Sequence, residues 1–167
     1  YSDLHGIEKA ENANFRTLSF DIECRSDEGF ANPKRENDQI ITIGMCTVEE
    51  TTGEQKNVVL QLGTVAPLHS GHCMSCQTEK ELIEEFFNCI NKYDPDIITG
   101  YNIDNFDFPF IFGRVETLGM GDVRISRKAD YVCKVQQKIF QSNQLGTRES
   151  YEIIMPGRVS VDCLPQI

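Results

Sequence analysis

FRTLSFDIEC, residues 15–24, alternates between apolar and polar side chains and gives the clearest indication of a strand in the chain. Three apolar side chains share one face of an extended backbone: Leu18, Phe20 and Ile22. Asp21 and Glu23 share the opposite face, because successive side chains of a strand alternate between its two sides. This period of two predicts a strand with one face in the core and two carboxylates on the other.

Two more strands are expected after the first one. Residues 25–38, rich in Gly, Asn, Pro and charge, are predicted to form a loop. QIITIGMCTV, residues 39–48, is nearly all apolar or β-branched and predicts a buried strand. A turn at residues 51–54 leads into a return strand over residues 55–62, so the three strands form an antiparallel meander. Residues 63–77 are interpreted as a loop.

A helix and a fourth strand follow this loop. The helix begins with a capping box, in which Thr78 is the N-cap and Glu81 lies three residues further on. It is expected to end near Tyr93, because Pro95 disfavours helical backbone at the residue before it. The apolar run DIITG, residues 96–100, then predicts a short strand.

The remaining residues predict a second helix and further β structure. The helix is expected over residues 105–118, with Pro109 in its first turn. Residues 131–163 alternate in β fashion around a turn at residues 143–147. About residues 131–155 are therefore interpreted as an inserted β-hairpin.

The predicted order of elements is β-β-β-α-β-α. A helix that connects two strands of one sheet returns the chain in a right-handed crossover, so the fourth strand is expected to run parallel to its neighbour. The order is similar to that of the ribonuclease H-like (DnaQ-like exonuclease) fold, an α/β class with a mixed sheet. Residues 1–14 are interpreted as a polar strap or linker and residues 15–167 as one domain. The absence of an initial Met and the ending Pro165-Gln166-Ile167 suggest a piece of a longer protein.

Composition restricts the possible functions. A formal net charge of −10 over 167 residues argues against broad, charge-driven binding to nucleic acid. It is compatible with a hydrolase that holds divalent metals, because bound metals reverse the local field of clustered carboxylates. No apolar run has the length of a membrane span, and the seven irregularly spaced cysteines are interpreted as reduced thiols of an intracellular protein. A local basic stretch, usually just a solvated face, contains five residues: Arg124, Arg127, Lys128, Lys134 and Lys138.

Asp21 and Glu23 are candidate metal ligands. They lie two residues apart on a strand, which places their carbons about 7 Å apart on one face. Ligands that offer only oxygen suit Mg²⁺ or Mn²⁺. The alternative is a solvated strand face, on which Asp and Glu are common.

Asp107 is a third candidate acid. It lies in the first turn of the second predicted helix, where free amides and the helix dipole favour an anion. A residue just beyond the end of a parallel strand can approach the neighbouring strand, so Asp107 could converge with Asp21 and Glu23. Otherwise Asp107 simply stabilises the start of its helix.

The residues between the fourth strand and the second helix leave alternatives open. Asn102 and Asn105 could cap the turn or bond to the backbone. Phe106 and Phe108 are more often core residues than platforms for stacked bases, and Tyr101 fits either location.

A second possible metal site combines two histidines with a C-x-x-C pair: His69, His72, Cys73 and Cys76. Such a set could hold zinc. Its spacing is cramped, because His72 and Cys73 are adjacent, and a solvated loop is the alternative.

Two segments resemble motifs of family B DNA polymerases. LSFDIEC, residues 18–24, resembles the first exonuclease motif, and DPDIITGYNIDNFDFP, residues 94–109, resembles the second. Further similarity to the delta-type replicative subgroup lies in Ala66-Pro67, in residues 78–82 and between residues 140 and 159. The resemblance covers nearly the whole chain from residue 15 onward and implies a proofreading 3′→5′ exonuclease domain.

The resemblance also implies roles for individual residues. Asp21 and Glu23 would be metal ligands, and Asp107 would hold the second of two divalent ions, Mg²⁺ or Mn²⁺. Asn102 and Phe106 would shape the site near the 3′-terminal nucleotide. Further DNA contacts are expected from three residues: Tyr101, Lys134 and Lys138.

The family's third motif, a Tyr followed four residues later by Asp, has not appeared by Ile167. Asp162 is interpreted as a structural residue, or at most as one that supports the metal ligands without binding metal, rather than as the acid of that motif. The chain is therefore expected to stop before the third motif. In this family the hairpin of residues 131–155 would help to separate primer from template.

The resemblance implies several partners and a location. The partners are the single-stranded 3′ end of a DNA primer, the remainder of the polymerase chain, accessory subunits and a sliding clamp, with no membrane. A eukaryotic parent would be nuclear. The alternatives are a free-standing ribonuclease H-like exonuclease and a folded but inactive fragment that only binds single-stranded DNA.

Overall fold

The computed structural model describes residues 13–66, 71–142 and 146–164. These residues form eight strands and two α-helices. In chain order they are β1 (Arg16–Arg25), β2 (Gln39–Glu49), β3 (Gln55–Leu62), β4 (His72–Cys76), α1 (Glu79–Tyr93), β5 (Ile97–Gly100), α2 (Asp107–Thr117), β6 (Lys134–Ser142), β7 (Gly146–Ile154) and β8 (Val159–Asp162).

Six of the strands form one mixed sheet, in the order β4-β3-β2-β1-β5-β8. β1, β2 and β3 pair antiparallel as a meander. β5 then lies parallel to β1, with Thr17 opposite Ile97 and Ser19 opposite Thr99. β8 continues the sheet parallel to β5. The mixed α/β architecture predicted from the order of elements, that of a ribonuclease H-like fold, is confirmed.

The core lies between the sheet and the two helices. Leu18, Phe20 and Ile22 of β1 are buried, as their alternation predicts. The ring of Phe20 lies 5.0 Å from that of Phe86 on α1 and 4.9 Å from that of Phe108 on α2. Aromatic pairs at this separation add to the hydrophobic stabilisation from burial alone. Both helices therefore pack against the core-facing side of β1.

The start of α1 follows the predicted capping box. Thr78 Oγ1 accepts the backbone N–H of Glu81 at 3.1 Å, and the Glu81 carboxylate accepts the N–H of Gln77 at 2.6 Å. The helix ends at Tyr93 as expected, where Asp94 adopts a left-handed conformation with φ 49°. These contacts satisfy backbone groups that a helix end leaves free.

The second helix begins two residues later than predicted. Asn102 takes a left-handed conformation with φ 62°, and Phe106 has φ −125° and ψ −67°, so α2 starts at Asp107. The turn before the helix is held by contacts to distant residues, which local helix propensity does not report.

The prediction of a loop over residues 63–77 is wrong for its C-terminal part. Residues 72–76 form β4, which pairs parallel with β3 from Val58 opposite His72 to Leu62 opposite Cys76. The segment HCMSC contains no β-branched residue and only one long apolar side chain, so it lacks the pattern of a strand. Its strand character comes from pairing with the edge of the sheet.

β6 and β7 form a separate two-stranded antiparallel ribbon, which agrees with the predicted hairpin. Residues 143–145 of the predicted turn and residues 1–12 of the predicted strap lie outside the described residues. Among the residues that are described, no helix has the length and apolar character needed to cross a membrane.

Candidate active site

Asp21 and Glu23 project from β1 on the face opposite the core, and both are exposed. Gly44 of β2 is the partner of Asp21 and leaves open space beside it. The pairing of β1 with β2 becomes irregular between Glu23 and Cys24. Such bulges bend a strand and re-aim its side chains. The two carboxylates therefore stand at an accessible bend of the central sheet.

The end of β5 lies unusually close to β1. A Cβ atom added to Gly100 would stand 2.6 Å from the carbonyl oxygen of Phe20 and 2.5 Å from Cγ2 of the buried Ile103. Only a residue without a side chain allows this approach. Gly100 thus brings the turn over residues 101–106 down onto β1.

Asp107 is the first residue of α2 and is 1% exposed. Its Oδ1 accepts the backbone N–H of Ile22 at 3.0 Å, between the two acids of β1. Burial, and secondarily the negative charge of Asp21, raise the pKa of Asp107 to about 7. Asp107 thus reaches β1 at the residue between Asp21 and Glu23, whereas convergence of the three carboxylates stays a prediction.

The three acids do not form a closed metal site. Across residues 13–66, 71–142 and 146–164, no three side chains of His, Cys, Asp or Glu are arranged closely enough to hold an ion together. Their chemistry nevertheless suits Mg²⁺ or Mn²⁺, because all three offer only oxygen. A divalent cation would also offset the unfavourable burial of negative charge at Asp107. Their assignment as metal ligands stays a prediction.

The two asparagines before α2 make hydrogen bonds within and beyond the turn. Asn105 donates to Oδ1 of Asn102 at 3.4 Å, and its own Oδ1 accepts the N–H of Tyr151 at 3.3 Å. The second bond links the turn to the hairpin strand β7. Asn102 and Asn105 therefore shape the turn, which agrees with one of the predicted alternatives.

The aromatic residues near Asp107 divide between core and surface. Phe108 is fully buried against Phe20. Phe106 is 38% exposed with its ring 5.7 Å from that of Phe110, and Tyr101 is 58% exposed. The two exposed rings remain available to a ligand.

Most of the basic stretch is occupied in ion pairs within the chain. Arg127 pairs with Asp94 at 2.7 Å and with Asp96 at 2.5 Å. Lys138 of β6 pairs with Glu152 of β7 at 2.5 Å, whereas Lys134 is exposed at the start of β6. Contacts of Lys134 and Lys138 with DNA stay predictions, and Arg127 has a structural role instead.

The second possible metal site gains no support from the described residues. Cys76 is 1% exposed and belongs to the core beside β3. His72 is exposed at the start of β4, and His69 lies outside the described residues. Where the structure describes the chain, no cluster of three potential ligands occurs.

Three buried charged side chains, on α1, α2 and β8, have structural roles, and the sequence analysis identified only the one on β8. Arg114 forms an ion pair with Glu79, and both side chains are almost fully buried. Arg114 follows Phe110 by four residues and precedes Val115 on the helix face that enters the core, which is the pattern that could have identified it. Asp162 is 6% exposed and bonds to backbone amides, which confirms its interpretation as a structural residue.

The mixed sheet, with acids on its central strand and on the helix that follows β5, is the architecture of ribonuclease H-like exonucleases. The model of the exonuclease domain of DNA polymerase family B matches residues 1–167. The chain belongs to this family.

Curated relatives agree with this assignment. The chain is 36% identical over 156 residues to the DNA polymerase delta catalytic subunit of Bos taurus, which covers 91% of the chain and 14% of that subunit. It is 36% identical over 173 residues to the subunit of Arabidopsis thaliana, covering 100% of the chain and 16% of the subunit. The chain thus spans about one seventh of the length of these relatives. The predicted resemblance to the delta-type subgroup is confirmed.

A solved structure shows the same fold. The family B DNA polymerase of the hyperthermophilic archaeon Pyrobaculum calidifontis matches with a TM-score of 0.58 and 25% identity. The match covers 95% of the chain and 16% of that polymerase. These relatives are a family B DNA polymerase and catalytic subunits of DNA polymerase delta.

Proposed function

We propose that the chain is the proofreading 3′→5′ exonuclease domain of a delta-type replicative DNA polymerase. It hydrolyses the last phosphodiester at a single-stranded or mismatched primer 3′ end. The observation that carries this proposal is the hydrogen bond from the Ile22 amide to Asp107, which brings a buried acid to the backbone of β1 at the residue between Asp21 and Glu23. The identity to delta catalytic subunits gives independent support.

Asp21, Glu23 and Asp107 are the residues that would hold two divalent ions, Mg²⁺ or Mn²⁺. When bound, such ions lower the pKa of a water and stabilise the leaving 3′-oxygen. Asp21 and Glu23 are exposed and open to solvent, whereas Asp107 is oriented from below by the Ile22 amide. The chain would therefore hold one acid, Asp107, in a fixed orientation by a hydrogen bond and present the other two, Asp21 and Glu23, to solvent.

The substrate end is expected to lie over the turn before α2. Phe106 and Tyr101 present exposed rings on which bases can stack without their sequence being read. Asn102, on the same turn, would shape the site near the terminal nucleotide. The terminal bases must unpair to reach such a site, and a mismatched end unpairs at lower cost, which gives selectivity.

The wider assignments follow from the same proposal. The ribbon of β6 and β7, joined to the turn through Asn105 and Tyr151, would help to separate primer from template. The domain would work with the rest of a polymerase chain, with accessory subunits and with a sliding clamp. Its location would be intracellular, and nuclear in a eukaryotic cell.

The test compares the parent polymerase with a variant carrying Asp21→Ala and Glu23→Ala. We expect the variant to lose removal of a mismatched 3′ nucleotide while its DNA synthesis on a matched primer is unchanged. A control with Thr17→Ala and Ser19→Ala changes half-buried residues on the same face of β1 without touching an acid. Equal exonuclease rates in the parent and the Asp21/Glu23 variant would contradict the proposal.

A second candidate is a folded domain that binds single-stranded DNA without cleaving it. The lack of a closed three-ligand set among the described residues favours it for the isolated chain. The isolated chain should be incubated with a 3′-labelled oligonucleotide in Mg²⁺ and then in Mn²⁺. Binding without hydrolysis in either ion would support this second candidate.

A further inference from the structure

Asp162 lies at the end of β8, directly opposite Gly100 at the end of β5. Asp162 is 6% exposed, and in the described part of the chain its carboxylate has no arginine or lysine partner within hydrogen-bonding distance. A carboxylate at such a depth needs hydrogen-bond donors in place of water, and here backbone amides supply them.

Three amides supply this compensation. Oδ1 accepts the N–H of Asn102 at 2.8 Å and that of Leu164 at 2.9 Å. Oδ2 accepts the N–H of Asp104 at 3.0 Å. Two of the three donors thus belong to the turn between β5 and α2, about sixty residues earlier in the chain.

These contacts act on a turn with an unusual backbone. Asn102 is in the left-handed conformation, which a residue with a side chain adopts at a cost. Its carbonyl then accepts the N–H of Phe106 at 2.9 Å. The bond from Asn102 to Asp162 therefore stabilises the conformation from which Phe106 and the start of α2 follow.

The geometry points to Asp162 as a positioning residue of the candidate site. Its carboxylate holds the turn that presents Asn102 and Phe106 and that delivers Asp107 to the Ile22 amide. Among the described residues its carboxylate accepts only backbone N–H groups, so its role is to hold the backbone of the turn. That this positioning serves an exonuclease site rests on the proposed function, whereas the positioning of the turn by Asp162 rests on the hydrogen bonds alone.

The test substitutions are Asp162→Asn and, as a control, Asp96→Asn. In Asp162→Asn the new NH₂ group replaces either Oδ2, the acceptor for Asp104, or Oδ1, the acceptor for Asn102 and Leu164, and in both cases it faces another donor. Asp96 also bonds a backbone amide, that of Arg16 at 2.8 Å, but it lies beyond the opposite end of β5. Both variants remove a carboxylate that holds the backbone, and only one of them is next to the site.

Two readouts are measured on the isolated chain by NMR. Amide hydrogen exchange at Asn102 and Asp104 is expected to accelerate about 10-fold or more in Asp162→Asn and to stay at the parent rate in Asp96→Asn. Mn²⁺ alone is titrated while the broadening of the Ile22 amide signal is followed. We expect about a 10-fold weaker apparent Kd in Asp162→Asn and no change in the control.

The outcomes separate this inference from the proposed function. A parent chain in which Mn²⁺ leaves the Ile22 signal unchanged contradicts the metal site, and the exchange rates then decide the role of Asp162 alone. Equal exchange at Asn102 and Asp104 in both variants overturns the positioning role. If Asp162→Asn does not fold, exchange in the unchanged chain decides: unprotected Asn102 and Asp104 amides overturn the role, and protected ones support it.

Discussion

Arg114 on α2 and Glu79 at the start of α1 form a two-point ion pair, with Nε to Oε1 at 2.9 Å and Nη2 to Oε2 at 2.6 Å. Both side chains are almost completely buried. Arg114 also donates to the carbonyl oxygens of Pro33 and Arg35, and Glu79 accepts the N–H of Ile40. One pair of charges thus joins the two helices to the loop between β1 and β2.

Removal of one partner from this pair should be strongly destabilising. We expect Arg114→Met to lower the free energy of unfolding by about 3–5 kcal/mol, because Glu79 would remain as an uncompensated buried charge. The double variant with Glu79→Leu should lose less than the sum of the two single variants. Urea denaturation gives the four free energies of this cycle. Arg124→Met, which removes an exposed pair with Asp122, is the control and should change stability by about 0.5 kcal/mol or less.

Phe20 should be the most sensitive core position of β1. Its ring packs between Phe86 and Phe108, so Phe20→Ala leaves a cavity between the sheet and both helices. We expect a loss of about 3–5 kcal/mol of unfolding free energy. Phe15→Ala serves as the control, because Phe15 is 45% exposed and should contribute far less. Similar losses in the two variants would contradict the packing described here.

Asp107→Asn should separate stability from metal binding. Without divalent ions at pH 8, we expect the variant to be more stable than the parent by on the order of 1 kcal/mol, because a buried negative charge is removed while Oδ1 can still accept the Ile22 amide. Added Mn²⁺ should raise the melting temperature of the parent and leave that of the variant unchanged. Thermal unfolding with and without Mn²⁺ measures both effects. An equal rise in both proteins would show that Asp107 is not a ligand.

Asp94 should contribute to stability in a defined range of pH. Hydrogen bonds from Arg127, and then from Arg158, lower the pKa of Asp94 from 3.8 to about 2. A carboxyl with a lowered pKa in the folded state stabilises the protein above its unfolded value and loses this effect as the pH falls toward the folded value. The difference in melting temperature between the parent and Asp94→Asn should therefore be constant above about pH 5 and shrink between about pH 4 and pH 2.

The control for this pH series is Asp27→Asn. Asp27 forms an exposed pair with Arg25 at 3.4 Å, which screening by water makes weak. The melting temperature of the Asp27→Asn variant should follow that of the parent protein at every pH. A difference for Asp94→Asn that did not vary with pH would assign the effect to lost packing rather than to ionisation.

Local patterns predicted the elements whose formation depends on neighbours in sequence. The alternation of β1 identified its buried face, and Thr78 with Glu81 identified the start of α1. β4 was missed because only its pairing with β3 makes it a strand. The later start of α2 was missed because Asp162, about sixty residues away, holds the turn before it.

The features of the candidate site also divide into those that local sequence predicts and those that depend on tertiary contacts. The spacing of Asp21 and Glu23 on one strand face follows from the sequence, as does the approach of Asp107 once β5 is placed parallel to β1. The hydrogen bond from Ile22 to Asp107, the burial of Arg114 and the three amides bonded to Asp162 depend on tertiary contacts. No periodicity in the sequence reports such contacts between distant segments.

Gly100 carries no functional group, yet the turn with Asn102 and Phe106 reaches β1 only because nothing projects from its Cα. A methyl group there would push that turn away from the acids of β1 while leaving all of them chemically intact. If the domain proofreads, a cell with Gly100→Ala would copy its genome at a normal pace and accumulate base-substitution errors. Gly100, which has no side chain, would then help to determine the mutation rate of the cell.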